Sequence, residues 1–506
     1  MATDLSGDLG RWIDSLIEPF SPALARRRLA ERLALTTVRQ YDAADSGRRT
    51  NGWRRPATSA DREIRVALVR LRNGARELVR NNPVASATVK QIVANMVGDG
   101  ITITAKHADP VIAQKAQAAW DGWAESKVDG VQDFYGVQKM TARSVIEGGD
   151  TLLSWGPDAD GPDGFIRGLE GDFLDHLRMD ERLGAGRTVQ GVRFDANGVP
   201  DAFWLYDRHP GDYGGYGQSR LHPAADIDHV FERLRWGQTR GVSWFAPVAL
   251  AMRDIGDYED AIRMKRKVEA CLALVLTPQD GNPGSPLAAQ ETNPDDPKRP
   301  AIETLRPGMI FRTRPGETVS TMNPSSAGGE SEFLRQSLMQ VSAGLAPYHM
   351  ISGDALGTNY TTLRAVQLAF WSNLDDWQQN MMIPQACAPA FMRRMRRLAL
   401  ETGERRFLQV TADYAVPARR LLDPAKDLLG EEIEVRAGFK TMKKALSERG
   451  VNWRDQLDDI AEFNQYADGK EVILDTDPRK ITDLGVLQLG AAAQTAGTAD
   501  QTSNKG

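Results

Sequence analysis

Three histidines, His209, His222 and His229, fall close together in the 506-residue chain. Imidazoles so placed can ligate a metal or move protons, but either chemistry needs partners. Zinc would ask for Cys or Glu at ligand spacing, and a serine hydrolase for a nucleophile elbow of the G-x-S-x-G type; neither accompanies them. They read as surface or structural histidines. The loop Asp158-Ala159-Asp160-Gly161-Pro162-Asp163-Gly164 has a calcium-like composition. Its carboxylate spacing does not fit an EF-hand, and no Glu closes it, so it reads as a solvated hairpin tip. Asp375 and Asp376 are neighbours on a predicted helix and do not face one another, which weakens them as an acid–base pair. Gly98-Asp99-Gly100 has no strand before it and no helix after it, and G-x-x-x-x-G-K-[ST] occurs nowhere, which disfavours a nucleotide-driven motor. Cys271 and Cys387, the two cysteines, can build neither a disulfide framework nor a zinc site and read as buried free thiols. The expectation is a protein with no catalytic residues, no metal and no cofactor. A soluble hydrolase using scattered Asp, Glu and His is the enzymatic alternative, and it lacks a convergent set.

What remains is chemistry suited to phosphates. One group is basic: Arg263, Lys265, Arg266 and Lys267. The other is polar: Ser352, Thr358, Asn359, Tyr360 and Thr361. For the basic group, a helix is predicted from about 247 to 275, with Leu250, Ile255, Tyr258, Ile262 and Val268 on or near one side. Its basic latter half reads either as a solvated end favoured by the macrodipole or as a side facing DNA or a neighbouring subunit. A second helix over 330–345 offers Phe333, Leu334, Leu338 and Val341 as an apolar face. Between His349 and Thr362, two glycines and a run of Ser, Asp, Asn and Thr argue for a loop rather than a helix or a central strand. A long helix then begins with Thr or Asn as N-cap, and Leu363, Val366, Phe370, Leu374, Trp377 and Met381 form its stripe. Pro384 should kink or interrupt it before Phe391, Met392, Met395 and Leu398 resume the pattern to Gly403. The loop hydroxyls and amide can meet phosphates weakly and interchangeably, without reading a sequence, while Asp354 would repel them. Asn359, Tyr360 and Arg364 can equally be structural, capping the helix and pairing across subunits.

The rest of the chain sets limits. A formal net charge of -5 argues against a protein that coats DNA over its whole surface. No apolar run is long enough for a membrane span, and the N-terminus lacks a signal-peptide layout, so the expected partners include no membrane and the expected product is cytoplasmic. Residues 1–60 hold clustered arginines, at 26–28, 48–49 and 54–55, and read as a partly disordered arm or one reaching a neighbouring molecule or DNA. Helices are predicted from Asp61 to the Asn81-Asn82-Pro83 stop, then to Met96, over 110–126 and over 133–148. Strands follow at 101–104, 151–155, 189–194, 202–206 and 227–231, with Asn197-Gly198 as a hairpin signal. Residues 277–300 are loop-forming, 302–311 is β-like, 407–410 is strand-like, and three small helices come before a disordered 490–506.

Several words in this order resemble the lambda family of tailed-bacteriophage portal proteins. They are Ala343-Gly344-Leu345-Ala346-Pro347-Tyr348, then Ser352-Gly353-Asp354, then Asn359-Tyr360-Thr361-Thr362-Leu363-Arg364-Ala365. Arg80-Asn81-Asn82-Pro83, Asn95 to Ile101, Gln238-Thr239-Arg240-Gly241, Asp423-Pro424-Ala425-Lys426, Gly438 with Thr441, and Glu448 with Gly450 extend the likeness over most of the chain. Ala346 stands where the family has Gly-Ile, and Thr361-Thr362 where it has Ser-Ser. The resemblance implies an α+β portal fold with wing, stem, clip and crown, its long helices around an axial channel and its subunits in a ring, usually of twelve. By family position, 61–243 is the wing, 244–269 the first stem helix and 270–328 the clip. The second stem helix is 329–346, the tunnel loop 347–361, the long helix toward the crown 362–402, and the last wing strand with the crown helices 403–489. It implies a virion protein at one capsid vertex, assembled in the host cytoplasm. The implied partners are double-stranded DNA, the terminase large subunit, major capsid and scaffold proteins, and head–tail connector proteins. Another ring-forming virion adaptor without DNA contact is the alternative in that class.

Overall fold

The computed structural model describes Gly52 and residues 57–155, 165–180, 186–212, 217–271, 275–276, 311–312, 329–354, 359–419, 424–451 and 453–472. The chain divides into Met1–Ser59 and Ala60–Gly506, and the second unit carries the helices and strands named here. The expectations for the arginine clusters, the 158–164 loop, 277–300, Thr358 and 490–506 lie outside the described residues, as do the side chains of Val268 and Cys271.

Two helices open the unit, α1 (Ala60–Asn81) and α2 (Pro83–Met96). Asn82 separates them because its Oδ1 accepts from Val84 and Ala85 N–H, and Pro83 occupies a first-turn position that needs no donor. The strand β1 (Thr102–Lys106) alternates intermediate and buried residues. Helices α3 (Pro110–Ala124) and α4 (Phe134–Gly148) are N-capped by Asp109 and Asp133. Trp120, Trp123, Phe134 and, from much later in the chain, Phe391 meet with ring centroids 5.1 to 5.4 Å apart. They anchor the large core.

Next come β2 (Asp150–Ser154), β3 (Arg167–Glu170), β4 (Thr188–Val189), β5 (Val192–Phe194), β6 (Pro200–Tyr206), β7 (Ser219–Pro223) and β8 (Ile227–Phe231). They form a three-stranded sheet in the order β3-β2-β8 and a four-stranded sheet β4-β5-β6-β7. Leu152, Leu169 and Ile227 from the first pack with Val192, Phe203 and Leu205 from the second. Residues 189–194, expected as one strand, are instead a tight hairpin. Gln190 at φ 48 and Gly191 at φ 87 turn the chain between Val189 and Val192, which pair. The Asn197-Gly198 signal does mark a turn, joining β5 to β6, with Gly198 at φ 79.

Helix α5 (Ala249–Cys271) follows, then a two-residue parallel pairing of β9 (Val275–Leu276) with β10 (Phe311–Arg312), then α6 (Glu330–Ser342). The loop expected over 347–361 contains a short helix, α7 (Tyr348–Ser352), whose Ile351 is buried. Pro347 and the apolar Met350 and Ile351 start it, and the polar composition of residues 352–362 hid that turn.

Helix α8 (Tyr360–Trp377), a π-helical stretch (Gln378–Cys387) and α9 (Ala388–Thr402) form one run of helical structure. Pro384 neither stops nor ends it. The wider π turn accepts a residue without N–H, and Ala388 N–H reaches back five residues to Ile383 O. The same widening turns Met381, Met382, Ile383, Ala386 and Cys387 all inward. Cys387 is a buried free thiol, and burial pushes it up to about 12. Beyond Gly403, residues 405–409 are a 3-10 turn, and the strand expected at 407–410 lies later, at β11 (Thr411–Ala415), antiparallel to β1. Phe407 is buried by that turn, so its apolar character serves the core rather than a sheet. The chain ends in α10 (Pro424–Arg436), α11 (Met442–Glu448) and α12 (Trp453–Gly469). Mixed helix and small sheets make this an α+β fold. No described helix is long and apolar enough to cross a membrane.

Candidate functional site

The polar features divide into a buried cluster and an exposed hairpin. The cluster centres on Asp150, whose side chain is fully inaccessible. Its Oδ1 accepts from Arg72 at 2.7 Å and its Oδ2 from Arg240 Nε at 2.5 Å. Arg240, also inaccessible, donates to Gly171 O at 2.6 Å, and Arg72 to Gly148 O at 3.0 Å. Asp172 takes Arg72 at 3.3 Å and Arg76 at 2.6 Å, and Arg76 also reaches Glu170 at 2.7 Å. Three guanidiniums thus face three carboxylates. Burial by itself would raise the Asp150 carboxyl, but Arg240 and then Arg72 hold it well below the ordinary carboxylate range. His229 Nε2 stands 3.2 Å from Asp150 Oδ2, yet burial keeps its imidazole below its usual value despite that carboxylate, with Arg240 and Arg72 adding to the lowering. A neutral His229 fits a cluster already balanced in charge.

Sequence reasoning did not find Arg72, Asp150 or Arg240, although a signal was present for the first. Arg72 sits in the middle of the buried α1 stripe of Leu68, Ala75 and Val79, where a lone arginine requires a buried partner. The block Gln238-Thr239-Arg240-Gly241 proves to be a built turn. Gln238 Oε1 accepts from Leu234 N–H at 2.9 Å, and Nε2 donates to Arg240 O at 2.8 Å. Gly241 lies so close to the chain at Gly149 that a Cβ there would sit 1.9 Å from Gly149 O. Of the other histidines, His209 Nε2 is 3.3 Å from Glu170, and with Asp172 these three could surround a small cation. Both carboxylates already serve Arg76, and Asp172 also takes Arg72, so two guanidiniums answer the charge a cation would need.

The exposed hairpin is α5 against α6. Lys265 Nζ meets Glu330 Oε1 at 2.9 Å, Tyr258 stacks edge-on with Phe333 at 4.9 Å, and Val248 lies against Gly344. The helices therefore run antiparallel. Ile255 is buried as expected, whereas Leu250 is 78% exposed and its neighbour Met252 takes the packed position. Phe333, expected on the packed face, is 53% exposed, its ring resting on Tyr258. The basic turn is largely answered within the chain. Arg263 bonds Glu259 and Asp260, and Arg266 shares Glu330 with Lys265 at 3.5 Å. The hydrogen bond from Lys265 leads the effects that lower the Glu330 carboxyl. Lys267 is exposed.

Residues of the predicted loop are partly engaged as well. Ser352 Oγ donates to Tyr348 O at 2.8 Å and accepts from Asp354 N–H at 3.1 Å, while Tyr348 Oη donates to Asp354 Oδ2 at 3.0 Å. Gly353 at φ 70 closes α7 in the left-handed region. Asn359 Oδ1 caps α8, accepting from Thr362 N–H and Oγ1 at 2.8 Å each. Tyr360 Oη accepts from Arg364 at 2.9 Å, Lys426 stands 5.8 Å over its ring, and Arg364 pairs with Asp427 at 2.7 Å. These contacts tie the start of α8 to α10. Thr361 is exposed.

Comparison with known proteins names the class. Residues 46–378 match the model of the phage portal proteins of the lambda family, and the chain belongs to that family. A probable portal protein of Halomonas phage phiHAP-1 is 23% identical over 351 residues, 66% of this chain and 67% of that protein. The portal protein of Escherichia phage N15 is 21% identical over 483 residues, 83% of this chain and 89% of that one. Among solved structures, a chain from the virion of a native gene transfer agent particle matches at 14% identity with a TM-score of 0.37, covering 77% of this chain and 93% of its own. A chain from the neck of a native gene transfer agent particle, computed with C12 symmetry, matches at 14% identity and 0.37 over 78% and 95%.

Proposed function

We propose that this protein forms a closed ring, of twelve subunits as in its family, at one vertex of a phage capsid. The ring is the channel through which the terminase large subunit drives double-stranded DNA inward and through which the genome later leaves. Scaffold and major capsid proteins surround it during assembly in the host cytoplasm, and head–tail connector proteins attach afterwards. The family match over 46–378 carries this reading, because that span includes the antiparallel α5–α6 hairpin, α7 and α8 in unbroken order. In it, 61–243 and 403–415 form the wing, α5 and α6 the stem, 270–328 the clip, α8 and α9 the path to the crown, and α10 to α12 the crown.

The channel surface falls to the tunnel loop, with Ser352, Thr358, Asn359, Tyr360 and Thr361, and to the stem cations Arg263, Lys265, Arg266 and Lys267. A bore for moving DNA works best when its phosphate contacts are few and weak. Cations partly neutralised by Glu259, Asp260 and Glu330 suit that requirement. The same pairing also suits a ring-forming adaptor that never touches DNA. Light scattering with negative-stain imaging tests the ring: about a dozen subunits around a central hole is expected, and a compact dimer that never forms rings would refute it. Salt-dependent retention of linear DNA by rings, weakened in Lys267→Ala, separates a channel from an adaptor.

A further inference from the structure

The described residues of 424–472 bury one side chain, Ala445. Helices α10 and α12 and the turn into α11 instead leave Ile433, Phe439, Met442, Leu457, Phe463 and Tyr466 each more than half exposed. A segment with so little core of its own is completed by something outside it. On α12 the apolar side chains Leu457, Ile460, Phe463 and Tyr466 recur every three residues, and the exposed Asp458, Asp459 and Glu462 are interleaved with them. The result is an acidic helix with an unfilled apolar face.

A complementary surface exists elsewhere on the same chain. A groove of about 990 Å³ opens among α2, α4, α8 and the turn between α11 and α12. Val93, Met140 and Trp371 give it an apolar lining. Lys90 on α2 and Lys139 on α4 stand exposed along it, with no carboxylate partner among the described residues. Arg143, Arg419 and Arg449 line it too, paired with Glu147, Asp375 and Glu431. Among the described lining residues Asp99 is the single carboxylate. Gln367 Oε1 in its wall is shut off from solvent and accepts no hydrogen bond. The groove therefore offers apolar surface, uncompensated positive charge and an acceptor awaiting a donor.

We infer that this groove receives α12 of a second copy of the chain, its apolar stripe against Val93, Met140 and Trp371 and its carboxylates facing Lys90 and Lys139. The two surfaces differ, so the contact is heterologous, the kind of joint that a ring repeats from subunit to subunit. The inference rests on the proposed ring assembly and specifies one of its joints. Opposite charge at the rim should act on assembly rate and register more than on final affinity.

The full-length chain carrying Lys90→Cys and Glu462→Cys, assembled and then mildly oxidised, tests it on a non-reducing gel. Covalent dimers and higher multiples are expected, and neither single variant should give them, which controls for Cys271 and Cys387. A faster-migrating monomer would mean that α12 folds into its own groove and would overturn the inference. So would rings that form normally and give no cross-link. As a second measurement, Lys90→Glu with Lys139→Glu should slow ring formation roughly tenfold, and Asp459→Lys with Glu462→Lys in the same chain should restore it. Rings indifferent to the reversal would overturn the joint and leave the ring reading standing. Failure of the unaltered chain to form rings would remove the ring reading and this inference with it.

Discussion

Two clusters of arginine and carboxylate, one around Asp150 and one at the far end of α5, behave as opposites. Around Asp150, Arg72 and Arg240 are shut away from water and hold four stretches of chain together: α1, the end of α4, the turn after β3 and the block before α5. At the far end of α5, Arg263 and Arg266 are about 63% and 62% exposed and pair with Glu259, Asp260 and Glu330 of the α5–α6 hairpin. The difference is dielectric. In the interior each unmade bond costs a desolvated charge, whereas at the surface water replaces a lost partner at little cost. The first cluster is a fastening of the fold; the second can exchange partners in water, as the channel surface proposed above would require.

That contrast breaks first at Arg240. Arg240→Met leaves Asp150 with one guanidinium and strands Gly171 O, and should lower stability by about 3–5 kcal/mol, read as the denaturant midpoint. Arg240→Lys should recover only part of this, because an ammonium cannot form the fork that Asp150 and Gly171 share. A midpoint unchanged in Arg240→Met would show that the cluster fastens nothing. Next, Gly241→Ala forces a Cβ into the Gly149 peptide and should cost about 1–3 kcal/mol by the same readout, while Gly237→Ala, with open space around it, tests only the left-handed backbone.

His229 sharpens the comparison through pH. Its folded value lies below the unfolded one, so the unfolded chain binds the extra proton as pH falls through the ordinary histidine range. Stability is therefore lost on acidification from pH 7 toward 5, by at most about 1.4 kcal/mol per pH unit for this group. Asp150 acts in a lower window: its contribution is present above the ordinary carboxylate value and lost only as pH drops through its depressed one. His176 and His349 are also lowered and slope the same way. The measurement is thus the difference between His229→Asn and the unaltered chain in midpoint against pH, expected to be a flatter profile for the variant. An identical profile would place the proton elsewhere. The smallest effect belongs to the hairpin. Arg263→Ala and Lys265→Ala should leave the thermal midpoint within about 2 °C. A fall comparable to that of Arg240→Met would erase the distinction between the two clusters.

The helical periodicities of α1, α3, α4 and α9 were legible because each buries a single face, and repetition at three and four residues reports that directly. The Asn82-Pro83 break, the Asn359 cap, the Asn197-Gly198 turn and the family words were legible for a similar reason: their chemistry is local. Less was readable at α7, where a polar loop composition concealed one turn of helix. The π segment was also hidden, since Pro384 reads as a break unless the wider turn that accommodates it is already known. At the channel candidates, residue type was informative and engagement was not. Ser352 read as a free polar group, and Asn359 and Tyr360 as either channel or structural residues; the fold employs each of them in a local hydrogen bond.

The sequence alone determined the family, the α+β class, the order of the long helices and the want of an apolar span, because these depend on composition, short-range periodicity and words of adjacent residues. Tertiary structure decided which charges are fastened and which are exposed. Arg72, Asp150 and Arg240 lie far apart along the chain, and nothing in local spacing tells an arginine that it will meet a carboxylate out of water. Whether a charge is worth several kcal/mol or almost none depends on that burial, and burial is a property of the packed chain.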